Sequence, residues 1–368
     1  MRIFKWSAFA VAALLIGAAA AELSLGRWFS QDPLDRLGLD RDLAQVVDAR
    51  GLYPGAQAFV LRHDHWGFRG GGDNPAGIAV LTLGGMATYQ PLLPEDQTWQ
   101  QVMRRQFQIN GRRDVTIANG GSRSQDTAAM LKALRDWLAH VPDLHPRFIL
   151  AHVGQDEGRS EDFAGVQSID LLRSDFGAAL VNQAVGRFPA ETERFAKDYP
   201  LLRRHSGLYR WWQKHFPPRP DADATPELHL RIAPAAAHWT DTASHPLPPD
   251  VGAMDAYRSR LKTLADEIHA MGAVPVFITA IRGDFKRQGG KVLGLVRDSG
   301  ANGLDEYNAL EQFNAATRAV CREQGLLCLD LAGEVPFEPN DFYDYVHMGP
   351  AGAEKIGRWL YGKLAGLV

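Results

Sequence analysis

The sequence predicts an α/β fold in three layers, with a doubly wound parallel sheet at its centre. Short apolar runs alternate along the chain with helical patterns, which indicates parallel strands joined by helices. The runs show little alternation of apolar and polar residues, which is typical of strands covered on both faces. Gly-rich or polar clusters follow the strands, at the edge where the crevice of such a sheet lies.

Strands and helices are predicted in strict alternation, except in one long segment after the third strand. The predicted strands are Ile78–Leu83, Val115–Ala118, Arg147–Val153, Val274–Thr279 and Leu326–Leu331. The predicted helices are Thr98–Gln108, Thr127–His140, Met254–Met271, Leu310–Arg322 and Ala351–Leu364. This order makes each strand–helix–strand unit a parallel one.

Two segments depart from the alternation. Residues from about 158 to 251 contain Trp211-Trp212 and a Pro-rich piece, Pro217–Pro226. We interpret this stretch as an insertion that caps the crevice, partly helical and with a loose loop, since long insertions are often functional lids. Residues 283–303 are rich in Gly, Lys and Arg and are predicted to form a second loop.

The N-terminus has the layout of a signal peptide. Arg2 and Lys5 precede an apolar stretch, Ala8–Ala21, that ends in small residues. Cleavage near Ala21 would release the protein, whereas an uncleaved stretch continuing to Phe29 would be a short membrane anchor. Either alternative places the remainder, residues 30–368, outside the cytoplasm in a single domain: secreted, periplasmic or held at the membrane.

Composition excludes some classes of partner. The net charge is −3 and no long run of like charge occurs, so a nucleic-acid partner is not expected.

The two cysteines, Cys321 and Cys328, flank a turn at Gly325. We favour a disulfide between them over two separate core side chains, because export permits oxidation. Two cysteines alone do not make a metal site, and no metal or cofactor is expected.

Four clusters at the predicted strand ends carry the chemistry. They are Gly84-Gly85-Met86-Ala87-Thr88, Asn119-Gly120-Gly121-Ser122-Arg123-Ser124, Gly154-Gln155-Asp156-Glu157 and the segment from Asp341 to Pro350. In this order they resemble the SGNH (GDSL-type) hydrolase family, whose fold is flavodoxin-like. The resemblance covers about Trp66 to Leu364 outside the insertion. The segments Trp66–Gly70 and Leu93–Trp99 are also similar to flanks in exported bacterial members.

The fourth cluster matches the family pattern best. Asp344 and His347 form its Asp-x-x-His motif, which implies that His347 is the base and Asp344 its orienting carboxylate. An imidazole accepts a hydroxyl proton efficiently when its other nitrogen is held, and a carboxylate three residues earlier can hold it. The alternative is that Asp344 caps a turn and His347 caps the last helix. We favour the catalytic-type pair.

The other clusters depart from the family pattern. Met86, after Gly85, stands where the family has its nucleophilic serine, and a thioether has no proton to give up. Asp156 stands where an asparagine would bind the oxyanion, and a carboxylate there repels negative charge unless it is protonated. Gly121 is expected to keep the backbone N–H donor, although the position of the second family glycine falls closer to Ser124.

Three hydroxyl groups near the crevice are candidates to replace the serine. Ser122 is our first choice, because its loop faces the Asp344 and His347 pair in this architecture. Thr88 and Ser124 are the others. The alternative for all three is turn or cap chemistry, which Ser and Thr commonly serve, and we favour it for each of them.

The resemblance implies an ester hydrolase or acyltransferase of weak, altered or absent activity. The substrates it implies are acyl esters on a small molecule or on glycans, including O-acetyl groups of an exported polysaccharide. The competing hypothesis is a pseudoenzyme that keeps the fold and binds a glycan or serves envelope assembly. Met86 and Asp156 favour this second hypothesis.

Overall fold

The computed structural model describes residues 2–37, 39–42, 44–70, 74–123, 125–157, 205–216, 238–244, 251–296 and 302–368. Its strands are β1 (Ala44–Asp48), β2 (Ala58–Arg62), β3 (Ile78–Leu83), β4 (Thr116–Asn119), β5 (Phe148–His152), β6 (Trp239–Thr240), β7 (Val274–Ile278), β8 (Phe285–Gln288), β9 (Lys291–Leu295) and β10 (Leu327–Leu329). Its helices are α1 (Arg2–Leu25), α2 (Met86–Tyr89), α3 (Trp99–Ile109), α4 (Thr127–Lys132), α5 (Gly207–His215), α6 (Val251–Ala270), α7 (Gly303–Gln324), α8 (Leu331–Glu334) and α9 (Pro350–Leu364).

A five-stranded sheet in the order β4-β3-β5-β7-β10 forms the centre of the molecule, and every neighbouring pair in it is parallel. These are the five predicted strands, with bounds that differ by at most two residues. The chain passes from β3 to β4 on one side and then to β5 on the other. Such a reversal creates the crevice at the carboxyl ends of the strands.

Helices cover both faces of this sheet, as the fold class requires. Side chains alternate along each strand, so neighbouring residues face opposite layers. Val80 and Leu150 belong to one apolar core, together with residues of α3 and α9. Leu81 and Ile149 belong to the other, together with residues of α4, α6 and α7. The predicted three-layer α/β architecture is therefore confirmed.

Two antiparallel hairpins were not predicted. The first pairs β1 with β2. The second pairs β8 with β9, and β6 adds to the free edge of β9. The predicted loop at residues 283–303 is therefore wrong for its first half. Gly289 and Gly290 turn this hairpin at φ +59° and +77°, the left-handed conformations that a two-residue hairpin turn needs.

The helix predicted over Thr127–His140 is not continuous. It is α-helical in α4, widens into a π-helical turn at Ala133–Trp137 and ends in a 3₁₀ turn at Leu138–His140. The Trp137 indole N–H donates to the Trp66 carbonyl oxygen at 2.8 Å. The prediction depended on helical periodicity, which contains no information about this tertiary contact.

The N-terminal helix α1 is joined to the start of α5. The Glu22 carboxylate accepts hydrogen bonds from the Ser206 hydroxyl at 2.8 Å and from two backbone N–H groups, those of Gly207 and Leu208, at 3.1 Å. Among the residues that the structure describes, none of the helices combines the length and the apolarity needed to cross a membrane. Of the predicted insertion, α5 and β6 are described, and the predicted cap over the crevice lies outside the described residues.

The two cysteines lie side by side as free thiols rather than as the disulfide that we favoured. Cys321 is buried in α7 and Cys328 is half-buried in β10. A hydrogen bond between the two side chains raises the pKa of Cys321 and lowers the pKa of Cys328. The turn at Gly325, with φ +64°, brings them together as predicted.

The contact between α3 and α9 predicts different effects for two glycines of α9. A β-carbon added at Gly357 would lie 2.6 Å from the Trp99 carbonyl oxygen and from the Val102 side chain. Gly357→Ala should therefore lower the free energy of unfolding by about 1–3 kcal/mol, the usual cost of overpacking. Gly362 has open space around it, and Gly362→Ala should raise stability by about 0.5–1 kcal/mol. Urea unfolding of both variants measures this, and equal effects would contradict the packing described.

Candidate active site

The Asp344 carboxylate and the His347 imidazole form a buried pair. His347 Nδ1 lies 2.5 Å from Asp344 Oδ2. The other carboxylate oxygen accepts two backbone N–H groups, from His347 at 2.6 Å and from Val346 at 2.8 Å. Both side chains are buried. The carboxylate is therefore fixed by the backbone on one side and holds the ring on the other, whatever role the pair has.

Backbone contacts close the loop that carries this pair, residues 342–349, which we call the dyad loop. The Tyr343 N–H donates to the His347 carbonyl oxygen at 3.0 Å, and the two rings stack at 13°, with centroids 5.7 Å apart. Pro350 then begins α9 at a position where its missing N–H costs nothing. At Gly352 a β-carbon would lie 2.5 Å from the Asp341 carbonyl oxygen. The loop thus packs so tightly on the first turn of α9 that only glycine fits there.

The environment keeps Asp344 ionised. Burial alone raises its pKa, but the charge and hydrogen bond of His347 and two backbone N–H groups lower it, and the net shift is downward. The ring of His347 therefore faces a negative oxygen at Nδ1. This arrangement favours the tautomer with the proton on Nδ1 and leaves the Nε2 lone pair free to accept a proton.

Met86 begins the short helix α2 at the end of β3 and packs into an apolar cluster. This cluster includes Leu52 and Leu61 from the region of the β1–β2 hairpin, together with Tyr343 from the dyad loop. Met86 is 9% exposed. Its side chain therefore fills the space between the loop after β3 and the β1–β2 hairpin.

Asp156 lies against the turn that precedes Met86. A β-carbon added at Gly85 would lie 1.6 Å from Asp156 Oδ2, so this carboxylate occupies the space over the glycine. The neighbouring Gln155 donates from Nε2 to the Val346 carbonyl oxygen at 3.2 Å. The loop after β5 thus joins the first loop to the dyad loop.

The loop after β4 is also joined to the loop after β3. The Ser122 N–H donates to the Gly84 carbonyl oxygen at 3.0 Å, and Ser122 is half-buried. The Gly121 N–H donates to Asn119 Oδ1 at 2.9 Å, while Asn119 Nδ2 donates to the Thr88 carbonyl oxygen at 2.8 Å. In this conformation the Gly121 N–H is engaged within the protein, and its role as an oxyanion donor stays a prediction.

The other two candidate hydroxyl groups belong to Thr88 and Ser124. Thr88 is fully buried, with Oγ1 3.4 Å from His152 Nδ1, and it faces the interior of the sheet edge. Ser124 lies outside the described residues. Of the two candidates that the structure describes, Ser122 is half-buried and Thr88 is fully buried.

Two glutamines of the site were missed by sequence reasoning. Gln125 Oε1 accepts the Gly84 N–H at 2.7 Å and fixes the first loop. Gln155 Oε1 is buried without a hydrogen-bond partner, beside the carbonyl that its own Nε2 binds. Gln155 lies within the third polar cluster of the sequence and Gln125 directly follows the second, and that position is the signal that could have found them.

No metal site emerges from the part of the chain that the structure describes, where no group of three or more His, Cys, Asp or Glu side chains is placed to hold an ion.

Glu157, next to Asp156 in the sequence, has a structural role. Burial raises its pKa, although the Thr127 N–H at 2.7 Å and Arg260 at 3.0 Å oppose the shift. This buried ion pair fixes the loop after β5 to α4 and α6.

Comparisons with known proteins return structures but no sequence relatives. A scan against models of protein families finds no match, and no curated protein matches. The chain is similar to the crystal structure of TesA, with a TM-score of 0.42 and 13% identity over 78% of this chain and 99% of that one. It is also similar to Axe2, an acetylxylan esterase from Geobacillus stearothermophilus, with a TM-score of 0.40 and 11% identity over 77% and 93%. Another similar structure is a member of the lipolytic G-D-S-L family from Veillonella parvula, with a TM-score of 0.39 and 10% identity over 78% and 96%. Likeness at this level assigns neither a family nor a function.

The buried His152 predicts a specific dependence of stability on pH. Burial lowers its pKa from 6.5 to about 4, although a hydrogen bond with the Thr279 backbone opposes the shift. The unfolded chain therefore binds a proton that the folded chain excludes. The stability from neutral His152 is complete above pH 6.5 and is lost as the pH falls toward 4.

His152→Gln removes this titration. Urea unfolding across this pH range should show a smaller loss of stability with falling pH in the variant than in the wild type. Other groups, including the similarly buried His63, are common to both proteins and cancel in the comparison. Parallel pH profiles would contradict the neutral, buried state of His152.

Proposed function

We propose that this chain is an extracytoplasmic protein of the SGNH hydrolase type that acts on acyl esters. The single observation that carries the proposal is the 2.5 Å contact between His347 Nδ1 and Asp344 Oδ2 in an Asp-x-x-His loop. The loops after β3, β4 and β5 are hydrogen-bonded to one another or to this loop at the same edge of the sheet. Acyl-transfer sites need such a convergence of base, orienting group and donors.

The proposed chemistry assigns one step to each group. The Ser122 hydroxyl attacks the ester carbonyl carbon, and its proton passes to His347 Nε2. Collapse of the tetrahedral species breaks the bond to the alcohol, which takes that proton as it leaves. Water, activated by the same imidazole, then releases the acid, or a second alcohol accepts the acyl group. Asp344 orients the ring and stabilises its charged form throughout.

Weak or altered activity follows from two neighbours of the site. The Gly121 N–H would have to leave Asn119 Oδ1 before it could bind an oxyanion. The Asp156 carboxylate beside Gly85 repels developing negative charge unless it is protonated. We therefore expect slow turnover and a preference for substrates whose other groups bind the protein strongly.

The proposed substrates are O-acyl groups, including O-acetyl groups, of an exported polysaccharide. An extracytoplasmic location is supported by the basic start and apolar course of α1. Apolar side chains of this helix lie exposed, among them Phe9, Leu14 and Ile16 at 70–73%. Both a cleaved signal and a retained anchor are compatible with this pattern.

One observation favours a second function, that of a pseudoenzyme which binds a glycan or serves envelope assembly. Met86 is packed among Leu52, Leu61 and Tyr343 as a core residue, at the position where the family has its nucleophile. In this alternative the Asp344 and His347 pair stabilises the loop before α9 and performs no chemistry.

Hydrolysis of 4-nitrophenyl acetate by the full-length protein tests the proposal. Turnover in the wild type should exceed that of His347→Ala, because a general base contributes about 100-fold to 10,000-fold to such reactions. His140→Ala is the matched control, since His140 is exposed and distant from the dyad loop in sequence. Ser122→Ala should match His347→Ala, and a serine-directed phosphonate should label the wild type at Ser122.

The same assay decides between the two functions. Equal, background rates in the wild type and His347→Ala would contradict the hydrolase. Turnover that appears in Met86→Ser and disappears in Met86→Ser/His347→Ala would then favour the pseudoenzyme, since only the nucleophile had been missing. A wild-type rate that His347→Ala leaves unchanged would exclude the dyad from the chemistry.

A further inference from the structure

A cavity of about 310 Å³ lies between the β8–β9 hairpin and the segment after β10. Its lining includes Arg282, Phe285, Lys286, Arg287, Phe337 and Glu338. We call it the hairpin cavity. Its volume is within the lower range of small-molecule sites, about 300–1,000 Å³. The segments that line it follow β7 and β10, so it opens at the edge of the sheet that carries the candidate active site.

The wall of the hairpin cavity is continuous with the dyad loop. The Gly283 N–H donates to the Tyr345 carbonyl oxygen at 2.9 Å. A β-carbon at Gly283 would lie 2.5 Å from the Phe342 ring, and the Phe337 and Phe342 rings have centroids 5.7 Å apart. The lining of the cavity is therefore packed against the loop that carries His347, through Gly283 and Phe337.

Two cations of the hairpin contact aromatic rings. Lys286 Nζ lies 4.5 Å from the centre of the Trp239 ring, and the Arg287 guanidinium carbon lies 5.7 Å from that of Tyr307. Within the described residues, neither has a carboxylate at ion-pair distance. Aromatic faces position a cation without neutralising it, so both remain available to an anion.

Arg282 adds a buried donor to the lining. Its Nε and Nη2 donate to the Asp284 carboxylate at 3.0 and 2.7 Å, whereas the buried Nη1 has no hydrogen-bond partner. An unsatisfied buried donor is costly, and an acceptor in the cavity would relieve that cost if the side chain adjusts. Two acidic residues belong to the lining: Glu334, which is bound by Lys363 and by the Trp359 indole, and Glu338, which is exposed.

We propose that the hairpin cavity is a subsite for the carboxylate group of an acidic saccharide, so that the acyl-bearing polymer is rich in uronic acids. The inference rests on the proposed function for its link to catalysis, but binding itself requires no hydrolysis. Arg287 binds the carboxylate from the same face of β8 as Phe285, since both side chains contact Tyr307. Lys286 lies on the opposite face and adds to the positive potential of the hairpin. Phe285 and Phe337 offer apolar surfaces to the C–H faces of the sugar ring.

Binding of an unesterified oligogalacturonate to the full-length protein tests this subsite by isothermal titration calorimetry. The wild type should bind it more tightly than a neutral xylo-oligosaccharide of equal length, and salt should weaken the binding. Lys286→Gln/Arg287→Gln should bind at least about tenfold more weakly, because the charge-assisted contact of Arg287 and the nearby positive charge of Lys286 are both lost. Lys291→Gln is the matched control: it lies in the same hairpin, pairs with Asp241 and is not part of the lining.

His347→Ala separates this inference from the proposed function, because it should bind the oligogalacturonate as the wild type does. Binding that persists while ester hydrolysis is absent would keep the subsite and remove the hydrolase. Equal affinity for the acidic and neutral oligomers would overturn the subsite, and so would unchanged affinity in Lys286→Gln/Arg287→Gln. Since Lys286 and Arg287 lie on a surface hairpin, circular dichroism should show the fold of the double variant intact.

Discussion

The parallel sheet constrains the whole candidate site, because its strands all end at one edge and their loops must share that edge. Hydrogen bonds join these loops in a chain of contacts. The Gly84 N–H donates to Gln125 Oε1 and the Gly84 carbonyl oxygen accepts the Ser122 N–H, which ties the loops after β3 and β4 together. Gln155 then joins the loop after β5 to the dyad loop through Val346. The loop that carries Asp344 and His347 is thus held by Gln155 after β5 and by the Gly283 N–H after β7, which donates to the Tyr345 carbonyl oxygen.

The residues at the centre of this arrangement conflict in their chemistry. Asp344 and His347 have the geometry of a base and its orienting group. Met86 and Asp156, which lie beside Gly85 or follow it, offer neither a nucleophile nor an oxyanion donor.

Much of the fold could be predicted from the sequence. The apolar run Ile78–Leu83 has the same bounds in prediction and structure, because a strand covered on both faces needs an unbroken apolar segment. The β8–β9 hairpin was not predicted, because β8 holds one apolar residue among polar ones and the Gly-Gly turn is equally typical of a loop. Asp344 and His347 were predicted from the Asp-x-x-His motif of the family resemblance, and the structure shows their side chains in contact. The contacts of Gln125 and Gln155 depend on which strands are neighbours, and local pattern does not contain that information.

The protonation of the His347 ring tests the central claim most directly, because the Asp344 contact fixes which nitrogen carries the proton. Nitrogen-15 and proton NMR of histidine-labelled protein should show neutral His347 with its proton on Nδ1, in a far-downfield resonance that Asp344→Ala abolishes. A neutral ring protonated on Nε2 would contradict the account, since Nε2 could then accept no proton from a hydroxyl and the pair could not act as a base and its orienting group.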